Sequence, residues 1–205
     1  IQDRPHERVV IMSATVDVAK YQKYFQEKVG VVPAIEIPGR SYEVTKHEMP
    51  EHTATEMAVE AAASDMTVLV FLPGVREIEA EIGKARKLLD GRGLRDVPLL
   101  PLHGNLTRDQ QSRVEMHYEG ARIIFATNVA QTSITIPDVD VVVDSGLERR
   151  IEIDKDGVES LRLGYASRAD CLQRAGRCGR TKPGVYILTR MTEEYDFMSL
   201  DSRPA

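Results

Sequence analysis

The chain has 205 residues, of which 42% are hydrophobic and 29% are charged, and its formal net charge is −5 at pH 7. This composition is typical of a globular protein and predicts one compact domain with appended ends. The negative charge argues against a protein that coats itself with nucleic acid by bulk attraction, so any phosphate contact must come from local basic clusters.

Short apolar runs alternate with amphipathic segments along the whole chain. In chain order, the pattern predicts strand 9–14, helix 16–28, a Pro/Gly break at 36–40, strand 42–49, helix 53–64, strand 67–72, helix 75–90, strand 97–102, helix 107–119, strand 122–127, helix 130–133, strand 139–143, a β-hairpin over 150–163, helix 168–179, strand 185–188 and helix 193–200. Apolar strands separated by helices indicate βαβ units, and therefore an α/β fold whose parallel sheet has helices on both faces.

The segments that directly follow strands carry mainly hydroxyl, amide, glycine and histidine groups. They are 13–15 (SAT), 73–76 (PGVR), 103–105 (HGN) and 127–133 (TNVAQTS). Ligands of open parallel sheets lie beyond the carboxyl ends of the strands, and these groups are typical of contacts to a phosphodiester backbone. The SAT segment alone could also be a strand end with a helix N-cap, and His103 is expected to be a loop histidine and not a catalyst.

Residues 173–180, QRAGRCGR, are the most informative segment. On the predicted helix 168–179, three arginines spaced by three would repel one another unless an anion lay near them. The glycines at 176 and 179 suggest that another surface approaches closely. A planar and permanently charged guanidinium suits the γ-phosphate in phosphoryl transfer. The alternative is a purely structural role in a surface ion-pair network, but no matching run of carboxylates accompanies the arginines.

Five segments, taken in order, resemble the later motifs of DEAH-box (DEAH/RHA) superfamily 2 RNA helicases. They are SAT at 13–15, FLPG at 71–74, LHG at 102–104, ATNVAQTS at 126–133 and QRAGRCGR at 173–180. The resemblance covers nearly the whole chain and implies a three-layer RecA-like parallel sheet with a β-hairpin insertion. It implies that residues 36–205 are the second RecA-like (helicase C-terminal) domain. Residues 1–35 would be the tail of the first RecA-like domain and a linker.

The resemblance also implies roles for single residues. Gln173 would touch the γ-phosphate or the attacking water, Arg177 and Arg180 would be arginine fingers, and Arg174 would brace the domain interface. Residues expected to bind or sense the nucleotide are Ser133, Thr135, Asp138 and Gly176. Residues expected to couple hydrolysis to strand separation are Ser13 and Thr15. Residues expected near the RNA backbone are Gly74, Arg76, Asn105, Thr127 and Asn128. The hairpin would act as a strand-separating wedge, and no metal ligands are expected.

Three positions depart from the family pattern. Gln131 stands where many relatives have glutamate, and Glu115 stands where some carry an aromatic residue that stacks on the base. Pro137 stands where some have an aspartate near the nucleotide, with Asp138 as a candidate substitute. Base promiscuity would fit these departures.

The 205 residues contain neither a G-x-x-x-x-G-K-[ST] loop nor a DEAH box. We therefore expect a piece of a longer protein, in which ATP and Mg²⁺ are held mainly by the first domain, and we expect the chain alone not to hydrolyse ATP. The expected partners are RNA, the first RecA-like domain of the parent chain and an activating protein. Two alternatives stay open: a non-catalytic nucleic-acid-binding module derived from a helicase, and a DNA-directed or viral superfamily 2 helicase.

Cellular location and redox state follow from simpler features. The sequence has no apolar run long enough to cross a membrane and no signal peptide at its start, so we expect a cytoplasmic or nuclear protein without a membrane partner. Cys171 and Cys178 lack metal-site spacing and are expected to be reduced thiols.

Overall fold

The computed structural model describes residues 10–11, 18–35, 42–132, 134–153, 155 and 157–190. The chain divides into two compact units, Ile1–Gly39 and Arg40–Ala205. In the first unit, helix α1 (Val18–Val29) carries an aromatic cluster in which the Phe25 ring meets the Tyr24 ring edge-on at 5.0 Å. The predicted helix 193–200 lies outside the described residues, as does the predicted strand 9–14 except for residues 10 and 11, which have no regular structure.

The second unit is built on a parallel sheet, as expected. Its strands are β1 (Val44–Glu48), β2 (Thr67–Phe71), β3 (Leu99–Leu102), β4 (Arg122–Ala126), β5 (Val141–Asp144) and β8 (Gly184–Leu188). They lie in the order β1-β8-β5-β2-β4-β3, and each neighbouring pair is parallel. The helices are α2 (Ala54–Ala63), α3 (Val75–Gly91), α4 (Arg108–Glu115), α5 (Val129–Thr132) and α6 (Arg168–Ala175).

Side chains of the central strands alternate between two hydrophobic cores, one on each face of the sheet. On β2, Leu69 and Phe71 pack on the face covered by α4, α5 and α6. Val68 and Val70 pack on the opposite face, which α2 and α3 cover. This alternation follows from the two-residue period of a strand, and it explains why strands buried on both faces read as continuous apolar runs. The three-layer α/β architecture is confirmed.

Three helices begin where the sequence provides a reciprocal cap. The hydroxyls of Thr53, Thr107 and Ser167 accept hydrogen bonds from backbone N–H groups three residues later, at Glu56, Gln110 and Asp170. The side chains of these later residues accept from the backbone N–H of the capping residues in return. Such capping boxes satisfy two otherwise unpaired donors and thereby fix where a helix begins.

The predicted hairpin is present and longer than expected. Strands β6 (Leu147–Ile153) and β7 (Glu159–Tyr165) pair antiparallel and form a two-stranded sheet of their own. Among the described residues, no helix is long and apolar enough to cross a membrane.

Candidate nucleotide and nucleic-acid site

The segments that follow five strands lie side by side at the carboxyl edge of the sheet. Backbone hydrogen bonds join them just beyond the strand ends: Leu72 N donates to Ala126 O at 2.8 Å and Thr127 N donates to Leu102 O at 3.1 Å. Ser145 N donates to Phe71 O at 3.2 Å, and Thr189 N donates to Asp144 O at 3.0 Å. The edge that the sequence marked as polar is therefore one continuous surface of post-strand loops.

The residues predicted to lie near RNA occupy this edge but differ in exposure. Arg76, Asn105 and Asn128 are exposed, Thr127 is half-buried and Gly74 is buried. Three of the five can therefore offer their side chains directly to a ligand in solution, and they stand after the neighbouring strands β2, β3 and β4.

Gly74 lies beneath the side chain of Arg149 at the root of the hairpin. A Cβ at position 74 would meet Glu77 Oε2 at 2.6 Å and Arg149 Nε at 2.9 Å, so the absence of a side chain makes room for this pair. Arg149 Nη2 donates to Glu77 Oε1 at 2.7 Å. The hydrogen bond from Arg149 lowers the pKa of the Glu77 carboxyl. The first turn of α3 is thus tied to the base of the hairpin.

The prediction that all three arginines of the QRAGRCGR segment lie on one helix is wrong. Helix α6 ends at Ala175 with Gly176 as its C-cap, so Arg177 and Arg180 belong to the turn that follows. Gly179 has a φ of 72°, a left-handed conformation that favours glycine, and its Cβ would lie 2.5 Å from Val44 Cγ2. Gly179 therefore serves a turn packed against β1 within this chain, and not the approach of another surface.

Arg177 is anchored by backbone carbonyls. Its Nη1 donates to Ile134 O at 3.2 Å and its Nη2 donates to Gln131 O. Both acceptors belong to the segment that follows β4. These bonds fix the half-buried guanidinium against that segment without neutralising its charge, because carbonyl oxygens carry only partial charges.

Arg177 and Arg180 form a positive pair without a carboxylate. Burial, and to a lesser degree the charge of Arg180, lowers the pKa of Arg177. Arg180 is exposed and its Nε donates to Gly176 O at 3.2 Å. Within the described ranges, neither guanidinium has a carboxylate at ion-pair distance, and the buried Nε of Arg177 has no hydrogen-bond partner. Two positive charges therefore lie close together without a compensating negative charge, which a bound anion would supply.

Arg174, expected at the domain interface, is instead buried inside the second unit, and that expectation is wrong. Only 1% of its side chain is exposed, and its Nη1 donates to Asp144 Oδ1 at 2.8 Å. Burial alone would lower the pKa of Arg174, but the Asp144 and Glu148 carboxylates outweigh it, so the net direction is upward. Tyr186 Oη donates to the other Asp144 oxygen at 2.9 Å. Arg174 therefore joins α6 to the end of β5 and the start of the hairpin.

Gln173 lies half-buried on α6 and faces α5. Gln131 Nε2 donates to Gln173 Oε1 at 3.3 Å and to Asp170 Oδ1 at 2.6 Å. The structure therefore brings Gln173 together with Arg177, since both contact Gln131.

The remaining predicted nucleotide residues are more dispersed. Thr135 and Gly176 are exposed, and Asp138 has a φ of 57° and pairs with His117 Nδ1 at 2.9 Å. Ser13, Thr15 and Ser133 lie outside the described residues.

The described residues contain no group of three or more His, Cys, Asp or Glu side chains that could hold a metal ion. Cys171 and Cys178 are buried and form no disulfide, and burial raises the pKa of the Cys178 thiol to about 11, which keeps it protonated and unreactive at neutral pH.

Sequence reasoning missed the contributions of Asp170, Arg149 and Glu77. Asp170 could have been found from the capping-box pattern of a serine followed three residues later by an acidic side chain. Glu77 lies in the highly charged sequence of α3, and no local pattern signals that it pairs with Arg149, 72 residues further along the chain.

Comparison with known proteins agrees with this architecture. Residues 51–182 match the model of the helicase conserved C-terminal domain. The chain is 34% identical over 210 residues to the ATP-dependent RNA helicase HrpA of Escherichia coli (strain K12), covering 96% of this chain and 15% of that protein. It is 34% identical over 197 residues to the pre-mRNA-splicing factor ATP-dependent RNA helicase prp22 of Schizosaccharomyces pombe, covering 88% of this chain and 16% of that protein.

A solved structure is similar over nearly the whole chain. The crystal structure of the Escherichia coli DEAH/RHA helicase HrpB superposes with a TM-score of 0.78 at 30% identity, covering 94% of this chain and 25% of that one. The chain thus spans a quarter or less of the length of these relatives.

Proposed function

We propose, since this chain belongs to the helicase conserved C-terminal domain family and within it to the DEAH-type helicases, that its parent protein is an ATP-dependent RNA helicase. Residues 36–205 would be the second RecA-like motor domain, and residues 1–35 the tail of the first one with a linker. ATP and Mg²⁺ would be held mainly by the first domain. RNA would lie along the carboxyl edge of the sheet.

The observation that carries this proposal is the pairing of Arg177 with Arg180 without a carboxylate. Like charges destabilise each other unless an opposite charge compensates them, and the buried Nε of Arg177 still has a hydrogen bond to make. A triphosphate from a neighbouring domain supplies that charge and the phosphoryl group to be transferred. The residues that fit it are Arg177, Arg180 and Gln173.

Each residue would have a distinct task at this site. Arg177, anchored on the carbonyls of Gln131 and Ile134, would present a fixed positive charge to the phosphate. The exposed Arg180 would add a second charge after adjusting its side chain. Gln173 would contact the γ-phosphate or the attacking water. Stabilising the charge that develops during phosphoryl transfer is the established use of such arginines.

The RNA contacts we propose come from Arg76, Asn105, Thr127 and Asn128, which would bind phosphate and sugar. Contacts of this kind position a nucleic acid without reading its bases, so we expect low sequence specificity. The hairpin β6–β7 would serve as the strand-separating wedge, because it forms a two-stranded sheet of its own and begins three residues after the carboxyl end of β5.

The test is the substitution of Arg177 or Arg180 by alanine in the full-length protein. We expect RNA-stimulated ATP hydrolysis to fall by about 10³-fold or more, which is the usual effect of losing an arginine finger, while RNA affinity is retained. Steady-state ATPase assays and RNA titrations measure both quantities.

Arg86 provides a matched control for this experiment. It too donates to two backbone carbonyls, those of Arg95 and Val97 at 2.8 and 3.2 Å, but it lies on α3 beside the segment that precedes β3. Arg86→Ala should keep normal turnover. Near-normal hydrolysis in both Arg177→Ala and Arg180→Ala would refute the finger assignment, and a full-length protein without ATPase activity would favour a non-catalytic RNA-binding module.

A further inference from the structure

Gln131 contacts three residues of the segment proposed to face the nucleotide. It lies on α5 and is 6% exposed. Its Nε2 donates to Gln173 Oε1 at 3.3 Å, and its Oε1 accepts from Arg174 Nε at 3.4 Å. Its backbone oxygen accepts from Arg177 Nη2. The buried side chain of Gln131 therefore touches Gln173 and Arg174, and its backbone oxygen holds Arg177.

The orientation of the Gln131 amide is determined by its neighbours. The Asp170 carboxylate can only accept a hydrogen bond, and the Arg174 guanidinium can only donate one. Gln131 must therefore direct its NH₂ group towards Asp170, at 2.6 Å, and its oxygen towards Arg174. The same NH₂ group meets Gln173, so Gln173 presents its oxygen to Gln131 and directs its amide nitrogen to a different side.

Asp170 accepts hydrogen bonds with both of its oxygens. Oδ1 accepts from Gln131, and Oδ2 accepts from the backbone N–H of Ser167 at 3.2 Å and from the Ser167 hydroxyl. An asparagine could accept on one side only and would turn an NH₂ group towards a donor on the other. With Asp170 in place, position 131 therefore requires a donor, which an ionised glutamate would lack.

We propose that Gln131 and Asp170 form a matched donor–acceptor pair that positions Gln173 and Arg177 for catalysis. Both are positioning residues, because they act through Gln173 and Arg177 and not on the substrate. The inference rests on the proposed function, and the structure supports it because the donor at 131 is complementary to the acceptor at 170.

The test uses three variants of the full-length protein. Gln131→Glu places two carboxylates against each other. Asp170→Asn introduces an NH₂ group, which must face either the Ser167 backbone N–H or the Gln131 NH₂ group, so two donors oppose each other in both orientations. In the double variant, the asparagine at position 170 can donate to the glutamate at position 131 and still cap Ser167, so the pair is complementary again with its polarity reversed.

We expect the RNA-stimulated kcat of Gln131→Glu to fall by about 10-fold or more, because a single mispositioned phosphate contact has an effect of this size. The KM for ATP should change little. Affinity for ADP–aluminium fluoride should fall far more than affinity for ADP, because positioning matters for the transition state. Asp170→Asn should show a smaller loss of the same kind. The double variant should recover most of the kcat and of the transition-state affinity.

A destabilised variant elsewhere separates positioning from folding. Ile78→Val removes one methylene from the core between α2, α3 and the sheet, away from α5 and α6, and lowers Tm without touching the site. It should retain kcat and the ratio of the two nucleotide affinities, whereas Gln131→Glu should lose both.

The inference is overturned if Gln131→Glu keeps the kcat of the unmodified protein, or if the double variant is no more active than Gln131→Glu. It is also overturned if ADP and ADP–aluminium fluoride affinities fall together. Failure of the proposed function looks different, since the unmodified full-length protein itself would then show no RNA-stimulated ATP hydrolysis.

Discussion

Arg174 and Arg177 are three residues apart, yet their side chains have opposite surroundings. Arg174 lies 2.8 Å from the fully buried Asp144 carboxylate, with a second carboxylate, Glu148, at 3.4 Å. Arg177 meets only carbonyl oxygens and the positive charge of Arg180 among the described residues. The contrast separates an arginine that holds the domain together from one that remains available to an anionic ligand.

This distinction predicts a stability effect for Arg174. Replacing it by methionine leaves Asp144 charged and buried without its partner, and breaking a buried ion pair in this way costs about 3–5 kcal/mol. Urea denaturation of the 205-residue chain measures the free energy of unfolding. Arg177→Met serves as the comparison and should change it far less. If Arg174→Met were as stable as the unmodified chain, the buried ion pair between Arg174 and Asp144 would have no part in holding the domain together.

The chemical class of each site residue was readable from the sequence, but its partner was not. The QRAGRCGR pattern singled out Gln173 and Arg177 as candidate site residues, and the structure places both against Gln131. What failed was the helical period: a helix extended to residue 179 would put the arginines on one surface, whereas the C-cap at Gly176 turns Arg177 and Arg180 away from Arg174. Gly176 marks the end of the helix, whereas Gly179 allows the close approach of β1 from within the same chain.

At the scale of single elements, the hairpin is amphipathic. Residues directly opposite one another share a face, so Ile151 pairs with Leu161, and Ile153 lies two residues further along the same face. All three are more than half exposed. The opposite face carries charged residues such as Glu152 and Arg162, which form an ion pair at 3.4 Å.

The root of this hairpin is held by the ion pair between Arg149 and Glu77. Glu77→Gln removes one charge of a partly exposed pair, which contributes only about 0–1 kcal/mol to stability. We nevertheless expect the variant to unwind duplex RNA more slowly at unchanged ATP turnover, because the wedge would be less firmly attached to α3. Helicase assays on a labelled duplex, run beside ATPase assays, separate the two activities.

Glu60→Gln is the appropriate control, because it breaks another exposed ion pair. Glu60 on α2 lies 2.7 Å from Arg92 at the end of α3. It should leave unwinding unchanged. If Glu77→Gln unwound duplexes at the normal rate, the pair would have no part in holding the hairpin for strand separation.

Elements with strong local signals were predicted well. The strands β2, β4 and β5 are continuous apolar runs buried on both faces, and the capped starts of α2, α4 and α6 follow from residues within one helical turn. Helix α4 ends at Glu115, four residues earlier than predicted. The reason is tertiary: the buried guanidinium of Arg122 donates to the carbonyls of Val114 and Met116, which therefore need no N–H partner from a further helical turn.

At the scale of the whole molecule, the fold class could be predicted from the sequence, but the order of the strands and the side-chain contacts between distant segments could not. Alternating strands and helices specify a parallel sheet, but the order β1-β8-β5-β2-β4-β3 depends on contacts between segments far apart in the chain. The network of Asp144, Arg174, Gln131 and Tyr186 is of this kind, since it joins β5, α6, α5 and β8. Such a network depends on three-dimensional proximity, which no local spacing encodes.

The proposed site is one half of a composite. This chain spans a quarter or less of the length of its relatives, and Arg177 and Arg180 face no carboxylate among the described residues. On this account, the second motor domain contributes positive charge and RNA contacts, while the phosphate-binding loop and the metal ligands come from elsewhere in the parent protein.

The most direct measurement is a structure of the full-length protein with RNA and ADP–aluminium fluoride. We expect a guanidinium nitrogen of Arg177 and one of Arg180 to lie at hydrogen-bond distance, about 3 Å, from the fluoroaluminate group. The arginine-finger assignment is contradicted if both guanidinium groups lie more than about 6 Å from the fluoroaluminate, where attraction between opposite charges is weak, and other residues surround that group.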